Sequence, residues 1–149
     1  DGATEHAERL PRVEGISDED DEEACKLGPI AYAKLLCEKG GLTREQRGPV
    51  ALIARDMDKV YQEEMKRREK LTEAQRESLG YTRPGTSLMP LSGRVARVLL
   101  FGGGGCGKTR IINAVLTPLF RRFYGLRGCV LTAFSNKAAR LIKGKTCHN

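Results

Sequence analysis

Residues 102–109 read GGGGCGKT and complete the pattern GxxxxGK[ST]. A triphosphate is held by several successive backbone N–H groups converging on its oxygens, and the main chain curls that tightly only where side chains are small or missing. Gly102, Gly103, Gly104, Gly105 and Gly107 supply that freedom around Cys106. Lys108 then reaches the β- and γ-phosphates, the Thr109 hydroxyl ligates Mg²⁺, and Arg110 follows as a further nucleotide contact. The implied chemistry is capture of a nucleoside triphosphate, ATP by expectation, with its magnesium ion. A glycine linker that happens to precede Lys-Thr is the plain alternative, and the flanking pattern speaks against it.

A loop of this kind needs a strand before it and a helix after it, whose first N–H dipoles face the anion. Residues 95–101 (VARVLLF) have the composition of a buried strand. Beyond the loop, Ile111, Ile112, Val115, Leu116, Leu119, Phe120 and Phe123 recur at helical spacing, with Pro118 set to kink or end the regular part. Gly125 to Gly128 reads as a turn and residues 129–134 (CVLTAF) as a second buried strand. Strand, loop, helix and strand make a parallel βαβ unit with a right-handed crossover, so the expected class is α/β. Ser135, Asn136 and Lys137 follow at the strand's carboxyl end, then a short helix over 138–142 and the closing GKTCHN.

Upstream, a short helix is expected over 29–38, closed by Gly40 and Gly41. In Leu42-Thr43-Arg44-Glu45-Gln46, Thr43 and Gln46 have the spacing of a capping box. Val50, Ile53, Ala54, Met57, Val60 and Tyr61 then share one face of an amphipathic helix. Pro49 would remove an internal bond at the sixth helical position, so the regular helix is expected to begin there. Residues 62–80 continue as a charged helical stretch, 81–93 form a loop, and no internal repeat is evident.

The 149 residues fit about one domain. Three segments are expected: a disordered acidic arm over 1–24, a helical region over 25–93, and the start of the phosphate-loop domain over 94–149. The arm carries ten acids against Arg9 and Arg12, whereas the remainder carries 24 Lys and Arg against 9 Asp and Glu. A basic field of that size attracts polyanions and suits a nucleic-acid partner. Five dispersed cysteines without a CxxC pair read as reduced intracellular thiols and not as a zinc site or disulfide framework. No apolar run approaches the roughly 20 residues of a membrane span. The start lacks a signal-peptide pattern, and the missing initiator Met suggests an incomplete chain.

The ordered series from the phosphate loop through LTAFSNKAARLIKGKTCH at 131–148 resembles the first motifs of the PIF-type (petite integration frequency) superfamily-one DNA helicases. Their RecD-like and Helitron-transposon relatives are included in the likeness. That family follows its phosphate loop with a strand ending in LTAPTGKAA and then a G-x-T-x-H element. The resemblance implies a partial RecA-like domain of an ATP-dependent helicase, working inside the cell in repair, recombination or a mobile element, and in the nucleus or mitochondrion if the source is eukaryotic. It implies an L-[NT]-x-x-Q motif whose Gln reads adenine; residues 42–46 match it through Gln46, and Leu71-Thr72-Glu73-Ala74-Gln75 competes for the role. Gln46 is preferred because its helix has the better apolar stripe. Both glutamines also make sense as plain capping residues.

The same resemblance places Thr132, Ser135, Asn136, Lys137 and His148 on single-stranded DNA, with Arg140 and Lys143 as extensions or simply a solvated face. The family's Pro-Thr-Gly is replaced here by Phe134-Ser135-Asn136. Phosphoryl transfer further needs an acid that orients water and cations for the transition state. The family takes these from motifs not found here, and Asp56, Asp58, Glu63 and Glu64 lie on the upstream helix without a strand leading into them. This chain alone is therefore expected to bind nucleotide without unwinding DNA. A phosphate-loop kinase or NTP-dependent switch would use the same loop without responding to DNA, and a non-functional remnant would not fold.

Overall fold

The computed structural model describes residues 12–81, 87–90, 98–105 and 107–147. Helix α1 (Asp18–Leu27) begins at Ser17, whose hydroxyl accepts from the Asp20 N–H at 3.2 Å, and its first turn carries Asp18, Glu19, Asp20 and Asp21. Acids there face the positive end of the helix dipole, which is why a charge run adopts this form. Gly28 ends α1 at φ +115° and also starts α2 (Pro29–Lys39). A Cβ at Gly28 would stand 2.7 Å from Asp58 Oδ1 and 3.1 Å from the Tyr61 ring. Both its dihedral and its surroundings therefore require glycine.

Helix α3 (Arg44–Glu69) opens with the capping box: Thr43 Oγ1 accepts from Gln46 N at 3.3 Å, and Gln46 Oε1 accepts from Thr43 N at 2.9 Å. The helix starts at Arg44 and runs through Pro49, so the expected start at Pro49 is corrected. Gly48 explains this, because a residue without Cβ relieves the clash that proline imposes on its predecessor. Helix α4 (Glu73–Ser78) has its own capping box, in which Gln75 Oε1 accepts from Thr72 N at 2.9 Å.

After the phosphate loop the chain forms α5 (Lys108–Ile111), a π turn (Ile112–Leu116) and α6 (Thr117–Tyr124). The disturbance expected at Pro118 falls one turn earlier. The Thr117 N–H bonds Ile112 O five residues back, and Pro118 then sits in the first turn of α6, where its missing donor matters least. A 3₁₀ turn (Leu126–Gly128) leads to β1 (Thr132–Ala133), α7 (Asn136–Leu141) and β2 (Lys145–Thr146).

The expected α/β architecture is not what forms: the described chain is mostly helical, and its sheet is two strands of two residues each. Residues 98–101 are not a strand, with Leu99 75% and Phe101 81% exposed, and residues 95–97 lie outside the described part. β1 pairs in parallel with the downstream β2, Thr132 opposite Lys145 and Ala133 opposite Thr146, so the parallel unit is β1–α7–β2 and does not enclose the phosphate loop. Among the described residues no RecA-like βαβ core is formed. The physical reason is the apolar face behind the loop. Ile111, Val115, Leu119 and Phe123 pack with Tyr32, Leu36, Val50, Met57 and Tyr61 from the upstream helices and with Met89, leaving that face closed to a sheet. The Phe123 ring meets Tyr32 edge-on at 5.8 Å and Tyr61 at 5.3 Å.

The acidic arm is likewise corrected from residue 18 onward, where it is helix α1 and not disordered chain. Asp21 accepts from Arg122 Nε at 3.0 Å and from the Tyr32 hydroxyl, which pins α1 to both α6 and α2. Burial, reinforced by the Asp21 bond, pushes the Tyr32 hydroxyl well above its ordinary pKa. Among the described residues no helix is long and apolar enough to cross a membrane.

Candidate nucleotide-binding site

The phosphate loop turns twice through left-handed backbone, at Gly105 with φ +79° and at Gly107 with φ +85°, and Gly107 caps α5. These are conformations that L side chains resist. The Lys108 ammonium donates to Gly102 O and, at 3.2 Å, to Gly103 O. It thus spans the loop from the helix side back to its start, and a cation held there is where phosphate charge would be met. Thr109 and Arg110 are exposed on the first helical turn. Cys106, counted with the loop from the sequence, lies outside the described residues.

Gln46 stands against this loop, whereas Gln75 is seen in the cap of a surface helix. A Cβ at Gly107 would overlap Gln46 Nε2, so the amide stands directly against the loop's last glycine. Gln75 is spent on capping the surface helix α4, in which no residue is buried. The two glutamines have the same local pattern, and only tertiary placement separates them. Gln46 Oε1 is engaged by the Thr43 N–H.

The remaining candidates gather at β1–α7–β2. Thr132 is exposed on β1, Ser135 caps α7 by accepting from Ala138 N at 3.1 Å, and Asn136 and Lys137 are exposed on its first turn. The LTA and GKT elements lie side by side: Lys145 N donates to Leu131 O at 2.8 Å and Cys147 N to Ala133 O at 3.0 Å. Gly144 makes this pairing possible, since a Cβ there would overlap the Leu131 carbonyl. Arg140, Lys143 and Lys145 are exposed on the same unit, and His148 lies outside the described residues. Asn113 Nδ2 donates to Leu141 O at 2.7 Å, which ties the helix behind the phosphate loop to the end of α7.

Sequence reasoning missed one feature of the site. The turn between α2 and α3 is bonded to the phosphate helix, because Arg110 donates through Nε to Gly40 O at 3.1 Å and again through Nη2. The signal was present as a Gly-Gly pair just ahead of the Thr43 cap. Among the described residues no cluster of three or more His, Cys, Asp or Glu is placed to hold a metal ion. No protein family, curated protein or solved structure matches the chain.

Proposed function

We propose that this chain carries the ATP-gripping element and first DNA contacts of an ATP-dependent DNA helicase of the PIF type. The observation that carries the reading is the Gln46 amide set against Gly107. A phosphate loop alone is indifferent to the base, whereas an amide offers a donor and an acceptor that match the edge of adenine. Lys108 neutralises the β- and γ-phosphates, the Thr109 hydroxyl contributes to a magnesium ion carried largely by those phosphates, and the Arg110 turn flanks the nucleotide. Exposed Lys137, Arg140, Lys143 and Lys145 with the Thr132, Ser135 and Asn136 donors supply phosphate contacts for single-stranded DNA. The tie from Asn113 to α7 gives a route by which the two ligands influence each other.

Equilibrium binding of Mg·ATP and of an oligo-dT strand tests the reading. Lys108→Ala should weaken ATP by about tenfold or more, since a charge-assisted phosphate contact is worth at least ~1.4 kcal/mol. Lys137→Ala should weaken DNA and lower its salt dependence by about one phosphate contact. ATP affinity that ignores Lys108 would remove the nucleotide claim. ATP binding with no DNA binding would leave the kinase or switch reading in its place.

A further inference from the structure

The Arg110 side chain is exposed, yet its guanidinium is turned onto one backbone atom, with Nε and Nη2 both donating to Gly40 O. Gly40 caps the end of α2 and stands three residues before Thr43, the residue that caps α3 and fixes Gln46. Four residues beyond Arg110, the Ala114 Cβ lies 3.4 Å from where a Gly40 side chain would begin. Three residues before it, Gly107 meets the Gln46 amide. Positions 107, 110 and 114 share one helical face. The chain from Gly40 to Gln46 therefore lies along that face and touches it at three points. Of these, the pair of bonds from Arg110 to Gly40 O is a directed lock between the two segments.

We infer that Arg110 is a positioning residue: by holding the Gly40 carbonyl it fixes the Thr43 cap, and with it the Gln46 amide, at the mouth of the phosphate loop. The consequence is that Arg110 governs selection of the base and leaves the grip on phosphates alone. Because a fork donating twice to one carbonyl restrains both distance and direction, it sets a register that a single flexible cation sets less well. This inference rests on the nucleotide reading above, and its test separates the two.

The test measures binding of Mg·ATP and of inorganic tripolyphosphate to the full chain and to Arg110→Ala, Arg110→Lys, Gln46→Ala and the Arg110→Ala/Gln46→Ala double variant. Arg110→Ala should weaken ATP by about tenfold while tripolyphosphate stays within about twofold. The double variant should bind ATP no more weakly than the weaker single one, because both changes remove the same contact. Arg110→Lys keeps a donor for Gly40 and should recover part of the loss; it also keeps the test open if the alanine variant unfolds. Multiplying losses in the double variant would overturn the inference, as would an equal loss of tripolyphosphate, which would put Arg110 on the phosphates directly. If Lys108→Ala leaves both ligands bound, the nucleotide reading falls and takes this inference with it.

Discussion

The helix behind the phosphate loop is less apolar in sequence than the segments on either side of it, yet its side chains are the ones that are buried. Val115, Leu119 and Phe123 are 0% exposed, whereas Val130 is 77% and Phe134 83% exposed. A helix satisfies its own backbone hydrogen bonds, so one partner face is enough to bury its stripe, and α2 and α3 provide that face. A strand leaves its N–H and C=O groups to be met by neighbours, and a sheet of two short strands meets few of them. Burial therefore followed the availability of a partner face and not hydrophobicity alone.

The largest effect that could break this contrast comes from Phe123, whose ring lies between Tyr32 and Tyr61 and whose carbonyl accepts from Leu88 N at 2.8 Å and Met89 N at 3.1 Å. Phe123→Ala should cost about 3–5 kcal/mol, the range for removing a fully buried aromatic ring. That is a large share of the roughly 5–15 kcal/mol by which domains are stable. Phe123→Leu, a milder shape change, should cost about 1–2 kcal/mol and keeps the comparison measurable if the alanine variant unfolds. Urea midpoints with unchanged slope give both values. A cost below about 1 kcal/mol for the alanine variant would mean that the helical half is not where the stability resides.

A middle-sized effect is expected at Glu64, at the end of α3 where the helical half grips the chain that follows. This buried carboxylate accepts from Arg67 Nη2 at 2.6 Å and Arg68 Nε at 3.0 Å. Arg68 also lies 4.0 Å above the Tyr81 ring and donates to Ser87 O at 3.2 Å, near buried Met89. Hydrogen bonds from Arg67, then Arg68, hold the Glu64 carboxyl below the ordinary carboxylate range against the opposing effect of burial. A carboxyl depressed in the folded state stabilises fully above its unfolded pKa of about 4.3 and loses that contribution as pH falls through the folded value. Glu64→Gln should lower stability at pH 7 by about 1–2 kcal/mol. The gap from the parent should narrow as the solution is acidified below about pH 4. A gap that stays constant with pH would show that the charge on Glu64 contributes nothing.

What the amino-acid order revealed divides along the same line. Helices α2 and α3 and the Thr43 cap could be read directly, because a 3.6-residue apolar period and a capping box are local. Helix α1 was hidden by its charge, although Ser17 ahead of four acids is a start signal that outweighs solvated disorder. The π turn was not legible, since it arises from reconciling Pro118 with a helix that must continue to present Val115, Leu119 and Phe123 to one core. The strands are shorter than expected for a non-local reason: within CVLTAF only Thr132–Ala133 pairs, and residues 98–101 form no strand, because the composition of a buried strand does not say whether neighbours exist. The site shows the limit most sharply. Gln46 and Gln75 both build capping boxes, and only the approach of Gly107 tells them apart.

The smallest expected effect sharpens the contrast from its other side. Leu99→Ser and Val130→Thr remove exposed apolar side chains from the two extended segments, one before the phosphate loop and one just before β1. Among the described residues, neither segment contributes a fully buried side chain to the core built around Phe123. Each substitution should therefore change stability by no more than about 0.5 kcal/mol, and the pair should add. Binding of an apolar dye should fall in the double variant, because the exposed patch is what such a dye reads. If instead the double variant loses more than about 1 kcal/mol, these side chains are covered in solution, and the burial that separates helix from extended chain would be a smaller difference than the structure implies.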